Sequence, residues 1–410
     1  MTIATQRYIT QENTFCARNY SSLPVVLNHG KGVFVWDIEG NKYLDMMSAY
    51  SAVSHGHCHP RLVRKLKHQA SNLAIVSRAY HNSCLADFLQ RACELTHYDM
   101  ALPMNTGVEA VETALKAARK WGYEEKKIAE DKAEIIVCGN NFHGRTITVV
   151  GFSSEEKYRK HFGPFANGFK QIPFNDPKAL ASSITPNTAA FLVEPIQGEG
   201  GIIVPDKGYL EKCAKICKQN NVLLLCDEIQ TGLGRTGKLL ASWHDNVEPD
   251  GVMLGKALGG GMLPVSMFLA NKKVMQCFHP GEHGSTFGGN PLSAAVGLEA
   301  LNVLIDENLI EHAAEMGKYM LAKLHQLSSR IILSVRGMGL LIGIEIDTQY
   351  VSGREFCKTL IKKGVLSNEA HETVIRLSPP LIIKKEHVDF ALQQIAETLY
   401  EFEKRRIKSA

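Results

Sequence analysis

Apolar residues in this chain collect in short unbroken runs that stop at a charged or glycine-rich boundary. Residues 222–226 read Val-Leu-Leu-Leu-Cys and run straight into Asp227-Glu228. Residues 251–254 (Gly-Val-Met-Leu) end in Gly255-Lys256, and Ala-Phe-Leu-Val at 190–193 ends in Glu194-Pro195. Ile-Ile-Val-Cys at 135–138 is a fourth run of this kind. Such runs predict strands buried on both faces, and the helical stretches between them predict a parallel α/β sheet. The flanks read differently. Residues 1–20 are polar, while 33–37 and 42–46 alternate about the turn Glu39-Gly40-Asn41, which predicts a small β-meander. From about residue 300 the period lengthens, with Ile310, Ala314, Gly317, Leu321 and Leu324 at helical spacing within 309–327. Strands at 332–335 and 339–346 and a last helix at 386–402 complete a smaller α+β unit. The chain is expected to divide as 1–50, 51–300 and 301–410.

Open α/β sheets take their ligands just outside the carboxyl ends of their strands. Asp227 and Lys256 stand at two such ends and are expected to face one crevice. Burial lowers the pKa of a lysine ammonium, so that its amine can condense with an aldehyde. A buried carboxylate can keep a pyridine nitrogen protonated, which pyridoxal phosphate needs in order to act as an electron sink. Taken alone, the two residues fit a salt-bridged acid and a solvated cation just as well. A nearby stretch imitates other chemistry. Gly232-Leu233-Gly234-Arg235-Thr236-Gly237-Lys238 fits both G-x-G-x-x-G and the start of a P-loop. Leu239 stands where a P-loop needs Ser or Thr, and residues 227–231 separate the glycines from the strand that a dinucleotide turn should follow. The stretch is expected to be a tight turn.

Other polar clusters are less specific. His55-Gly56-His57-Cys58-His59-Pro60 lacks helical H-x-x-x-H spacing and a distant pair to complete a zinc set, so a turn into a helix near Pro60 is expected. Thr106 can cap a helix from Gly107, whose first N–H groups would attract phosphate. Phe142 and Arg145, in Asn-Phe-His-Gly-Arg, read by default as core packing and a surface ion pair. Glu194 and Glu199 lie beyond a buried strand, a setting for acid–base work, and neither is assigned it.

Composition narrows the class. A chain of 410 residues exceeds one ~150-residue core. A net charge of +4, without a long Lys/Arg block, argues against a nucleic-acid arm and suits small anionic substrates. Ten cysteines occur without C-x-x-C, and Cys213 and Cys217 are spaced to pack within one helix. Reduced thiols, no apolar run near ~18 residues, and an arginine-poor stretch at 1–11 lead to the expectation of a soluble cytoplasmic protein.

Leu-Cys-Asp-Glu-Ile-Gln at 225–230, Gly-Lys-Ala-Leu-Gly-Gly-Gly at 255–261 and Ser-Thr-Phe-Gly-Gly-Asn-Pro at 285–291 together resemble the class III (omega) pyridoxal-phosphate aminotransferases. The resemblance extends over almost the whole chain. It implies a fold-type I transferase, with a large domain built on a mainly parallel sheet and a smaller α+β domain on which the N-terminal segment packs. It also implies a homodimer with sites at the interface. By the same resemblance Lys256 holds pyridoxal 5'-phosphate and shuttles the proton, Asp227 meets the ring nitrogen and Gln230 the phenolic oxygen. Phe142 stacks on the ring, while Gly107 and Val108 hold the phosphate together with Ser285 and Thr286 of the partner subunit. Arg145 grips a substrate carboxylate, and Glu199 is a switch residue paired with Arg376. Asn19-Tyr20, residues 48–53 and residues 102–109 resemble the branch that uses L-ornithine and 2-oxoglutarate, which implies substrate contacts for Tyr20 and Tyr50. His55 departs from that branch, where glutamine is expected.

Three alternatives stay open. Acetylornithine or 4-aminobutyrate as donor would share Lys256, Asp227 and Arg145 without needing Tyr20. An aminomutase would share the fold without needing the Arg376–Glu199 switch. A regulatory module that binds cofactor without turnover is opposed by the intact Lys256, Asp227, Arg145 and Arg376.

Overall fold

The computed structural model describes residues 2–409, with side chains for 2–405; Met1 and Ala410, the outermost positions of the first and last expected segments, lie outside the described residues. Strands β1 (Leu27–Lys31), β2 (Phe34–Asp37) and β3 (Lys42–Asp45) form an antiparallel meander. A seven-stranded sheet follows, built from β4 (Met100–Met104), β5 (Glu134–Cys138), β6 (Phe169–Ile172), β7 (Thr188–Val193), β8 (Leu223–Asp227), β9 (Gly251–Leu254) and β10 (Ser266–Ala270). Its order is β4-β10-β9-β8-β7-β5-β6, with β10 antiparallel to both neighbours and the strands from β9 to β6 parallel. The C-terminal part supplies β11 (Ile332–Met338), β12 (Leu341–Ile346), β13 (Val365–Leu366), β14 (Asn368–Ala370) and β15 (Val374–Leu377). Four of these form an antiparallel sheet in the order β11-β12-β15-β14, while β13 pairs in parallel with β3. The N-terminal meander is thereby stitched to the C-terminal part.

The central strands are unbroken because both their faces are covered. Successive side chains on a strand point to opposite faces. Ile136, Phe191, Leu224, Val252 and Met267 enter one hydrophobic core, and their neighbours Ile135, Leu192, Leu225, Met253 and Phe268 enter the other. Each buried side chain of this size contributes roughly 1.5–3 kcal/mol, so a polar substitution on either face is costly. Helices Gly107–Glu124 and Tyr209–Gln219 cover the sheet, and Cys213 and Cys217 are buried packing residues of the second.

Two local results differ from the sequence reading. The polar N-terminal stretch forms a mostly exposed helix, Ile3–Phe15, which is tied to the meander because the Thr2 and Thr5 hydroxyls both donate to Glu39. The glycine-rich turn at 232–238 also carries more than a turn. Arg235 is fully buried and donates to the carbonyls of Leu340 and Pro379 and to the hydroxyls of Ser48 and Ser54. It meets neutral acceptors from three separate segments, and burial pulls its guanidinium down to about 9.

The histidine cluster diverges. His55 is neutral, its pKa pulled down to about 4 by burial, and donates Nε2–H to the Ala300 carbonyl. His57 pairs with Asp45 and His59 with Glu307, and the helix Pro60–Asn72 follows. Among the described residues no helix is long and apolar enough to cross a membrane.

Helix Leu309–Leu324 packs on the turn between β11 and β12 through two glycines. A Cβ on Gly317 would lie 2.1 Å from the Gly339 carbonyl oxygen, and Gly339 itself is left-handed at φ +54°. Gly317→Ala should therefore destabilise the fold by about 1–3 kcal/mol, the range of overpacked cores. Urea unfolding checks this, and an unchanged midpoint would contradict the close contact.

Candidate active site at the sheet's carboxyl edge

The parallel strands deliver their terminal residues to one place. Asp227 ends β8 and is buried, and Lys256 follows β9 at the start of the short 3-10 turn Lys256–Gly259, with φ +45°. Glu194 follows β7, and Phe142 and His143 lie in the loop after β5. Together with Gly107, Val108, Glu199 and Gln230 they line a cavity of about 210 Å³. A larger cavity of about 520 Å³ opens on the opposite edge, near Leu224 and Asp250, away from Lys256 and Asp227.

Burial sets the electrostatics. It pulls the Lys256 ammonium down, against the pull of Glu199 and Asp227, and so favours the free amine. His143 would be lowered by the same burial, but its Nδ1 lies 2.7 Å from Asp227 Oδ2 and the carboxylate wins, raising it. Glu194 is pushed up to about 7 by burial, although the N–H groups of Phe142 and Gly198 donate to it. Glu199 goes the other way. Burial would raise it, yet the Arg376 guanidinium, which donates to both its oxygens, holds it at about 2.

The backbone shapes the walls. A Cβ on Gly198 would sit 1.6 Å from Gln230 Oε1, and one on Gly144, at φ +127°, would overlap Val108 Cγ2 at 2.4 Å. The helix Gly107–Glu124 starts at the cavity, with Glu109 accepting N–H bonds from Thr106 and Asn105. First-turn N–H groups have no partner within the helix, which makes its start an anion site.

The remaining expected residues, Tyr20, Tyr50, Arg145, Ser285, Thr286 and Arg376, do not line this cavity. The Arg376 guanidinium lies 5.2 Å from the Tyr50 ring, and the Tyr50 carbonyl accepts from Gln230 Nε2. Tyr50 also lines a second cavity of about 340 Å³ together with Tyr20, Asp45, His57 and Arg354. Tyr20 is 76% exposed in the single chain. Arg145 is exposed, its guanidinium 3.9 Å from the Tyr158 ring centre. Ser285 accepts from Asn105 Nδ2, and Thr286 is exposed; neither lines the 210 Å³ cavity. Sequence reasoning gave His143 no role, although a histidine directly after Phe142 in a loop behind a buried strand was a usable signal. It left Glu194 unassigned because only three-dimensional burial distinguishes it from Glu199.

A family described as aminotransferase class-III matches residues 15–399. The chain belongs to the class III aminotransferases. One class III relative is the ornithine aminotransferase of Brevibacillus brevis, 53% identical over 96% of this chain and 98% of its own length. The ornithine aminotransferase structure from Toxoplasma gondii superposes with a TM-score of 0.97 at 43% identity, covering 98% of this chain and 95% of that one. An acetylornithine aminotransferase from Elizabethkingia anophelis is also similar, with TM-score 0.88, 46% identity and 97% and 99% coverage. In this class III chain the cavity suits an aldehyde cofactor with a basic ring and an anionic tail. It offers a lysine amine, a buried carboxylate, an aromatic wall and a helix start.

The Glu199–Arg376 pair gives a pH signature. Glu199 has a folded pKa below its ordinary 4.5, so its contribution is complete above about 4.5 and lost as pH falls through about 2. Glu199→Gln should cost about 3 kcal/mol at neutral pH. The gap in urea-unfolding stability between wild type and variant should narrow below about pH 4.5. A gap that stays constant with pH would rule the pairing out as its source.

Proposed function

We propose that this enzyme is an ornithine δ-aminotransferase that moves the δ-amino group of L-ornithine to 2-oxoglutarate through pyridoxal 5'-phosphate. The observation that carries the reading is the Lys256 amine, made nucleophilic by burial, in one cavity with the Asp227–His143 pair. The high identity to curated ornithine aminotransferases over nearly the full chain supports the choice of substrate.

When bound, pyridoxal phosphate supplies an aldehyde for the amine and a ring that draws electrons from the substrate carbon. Lys256, Asp227, Gln230, Phe142, Gly107 and Val108 would hold it, with Ser285 and Thr286 of the partner subunit. Lys256 Nζ takes the proton from the reacting substrate carbon as general base and, as general acid, would give it up on the cofactor side, so that the amino group leaves the substrate. Asp227 would lie beneath the site, where its contact with His143 Nδ1 raises that imidazole above its ordinary value. Arg145 takes ornithine's α-carboxylate in its planar fork. Tyr20 faces the α-ammonium, with Tyr50 beside it on the same wall, which leaves the δ-amine to enter the inner cavity. The product, glutamate semialdehyde, cyclises to pyrroline-5-carboxylate. In the second half Arg376 leaves Glu199 for the α-carboxylate of 2-oxoglutarate, whose γ-carboxylate goes to Arg145.

The active assembly is a homodimer in this reading. Exposed Phe287 beside Ser285 and Thr286, with exposed Tyr80 and Ile147, offers apolar surface for a second subunit. Ten unpaired cysteines fit the reducing cytoplasm.

Two outcomes are expected. Lys256→Ala should lose the visible absorption band of the holoenzyme and its transamination, as read by spectrophotometry and by glutamate formation. Full transamination by that variant would end the proposal. Tyr20→Phe should lower kcat/KM for ornithine by about 1–3 kcal/mol, the worth of a hydrogen bond to a charged group, and leave 4-aminobutyrate nearly unchanged. A donor panel that includes acetylornithine decides the substrate. A tenfold wild-type preference for acetylornithine would replace ornithine as the donor and leave the aminotransferase standing.

A further inference from the structure

We propose that Asp45 and Ser48 are positioning residues for the oxo-acid half of the reaction, acting through Tyr50 on the Arg376–Glu199 pair. The proposal rests on the reading that Arg376 alternates between Glu199 and a substrate carboxylate. It starts from a stretch of backbone. Ser48, Ala49, Tyr50 and Ser51 are consecutive non-glycine residues with φ of +44°, +48°, +59° and +73°. L-residues visit this left-handed region singly, so a run of four persists only where its surroundings over-determine it.

The fastening is visible. Asp45 Oδ1 accepts the N–H groups of Met47 and Ser48 at 2.9 and 2.8 Å, and Oδ2 is held by His57 Nε2 at 2.7 Å. The Ser48 hydroxyl, fully buried, donates to the Ser378 carbonyl at 2.6 Å and accepts from Arg235 at 3.4 Å. Ser378 in turn donates its N–H to the Met46 carbonyl and its hydroxyl to the Met47 carbonyl. Ser378 directly follows β15, the strand that carries Arg376. The turn is thus pinned to the element whose guanidinium must change partners.

The turn delivers Tyr50. Its ring lies 5.2 Å from the Arg376 guanidinium, and its hydroxyl accepts from Asn368 Nδ2, on the residue that pairs with Arg376 in the sheet. Arg376 Nε has no hydrogen-bond partner among the described residues. Once Glu199 lets go, the ring contact keeps the fork aimed into the cavity. An ordinary right-handed turn at 48–51 would carry Tyr50 away from it.

Steady-state kinetics of the holoenzyme test this, because kcat/KM for each substrate of a two-stage transfer reports its own half-reaction. Asp45→Asn should lower kcat/KM for 2-oxoglutarate at least fivefold more than it lowers that for ornithine. Ala49→Gly eases a left-handed backbone, so Asp45→Asn/Ala49→Gly should recover much of the loss. Ser48→Ala should show the same split and carries the test if Asp45→Asn does not fold. Equal losses for both substrates without recovery, or no loss, would overturn the proposal. Arg376→Lys separates the two levels. If it spares 2-oxoglutarate, the alternation itself is wrong; if it impairs 2-oxoglutarate and Asp45→Asn does not, only the positioning role fails.

Discussion

Arg376 and Glu199 come from different sheets, and each is the other's compensation for leaving water. Arg376 sits on β15 of the four-stranded sheet, and Glu199 lies in the loop beyond β7 of the seven-stranded one. Removing one partner of such a pair strands a buried charge, which typically costs 3–5 kcal/mol. The surrounding contacts keep the two sheets in register. Arg336 of β11 donates to the carbonyls of Gly201 and Ile202, so the C-terminal sheet grips the loop that carries Glu199. The site is therefore complete only when both parts have folded and docked. A substrate carboxylate that replaced Glu199 would supply the same charge at the same point and would leave Arg376 paired.

The rest of the cavity follows the same constraint. Acids and bases are gathered at a strand edge where water is excluded, so each can keep its charge only beside an opposite one. His143 is held above its ordinary value because Asp227 touches it, while Glu194, whose contacts are backbone N–H groups, drifts up to about 7. Lys256 has neighbouring carboxylates but, among the described residues, no ion pair, and burial wins. A lysine shifted toward its free amine beside a carboxylate is thus a product of the fold's geometry rather than of either residue alone.

Much of this was legible in the chain. Asp227 and Lys256 stood out because unbroken apolar runs mark strands covered on both faces, and the residues after such strands face the ligand edge, whereas Glu199 was singled out only by resemblance. Other elements were hidden for physical reasons. β4 contains Pro103, which argues against an interior strand, and β4 is indeed at the sheet edge, where a missing N–H is tolerated. β10 follows glycines 259–261 and Pro264, punctuation that reads as a loop. The four left-handed residues at 48–51 include no glycine, so no local signal marks them. Their conformation is imposed by Asp45, Ser378 and Arg235, partners that only the folded chain brings together. Arg235 is the sharpest case, since its glycine-rich setting suggested phosphate chemistry and its surroundings show a buried tie between three segments.

Ornithine and acetylornithine differ at one nitrogen, and relatives named for each donor share this fold. The distinction falls to the wall of the second cavity. In the proposed reading Tyr20 and Tyr50 bring phenol groups to it. An α-ammonium brought against that wall exchanges water for oxygen acceptors. An acetamide there carries no charge to be stabilised and adds bulk. A donor with no α-nitrogen neither gains nor loses by the phenols. Discrimination of this kind arises from what a polar wall would leave unpaired, which is a larger effect than a pocket can achieve by size alone.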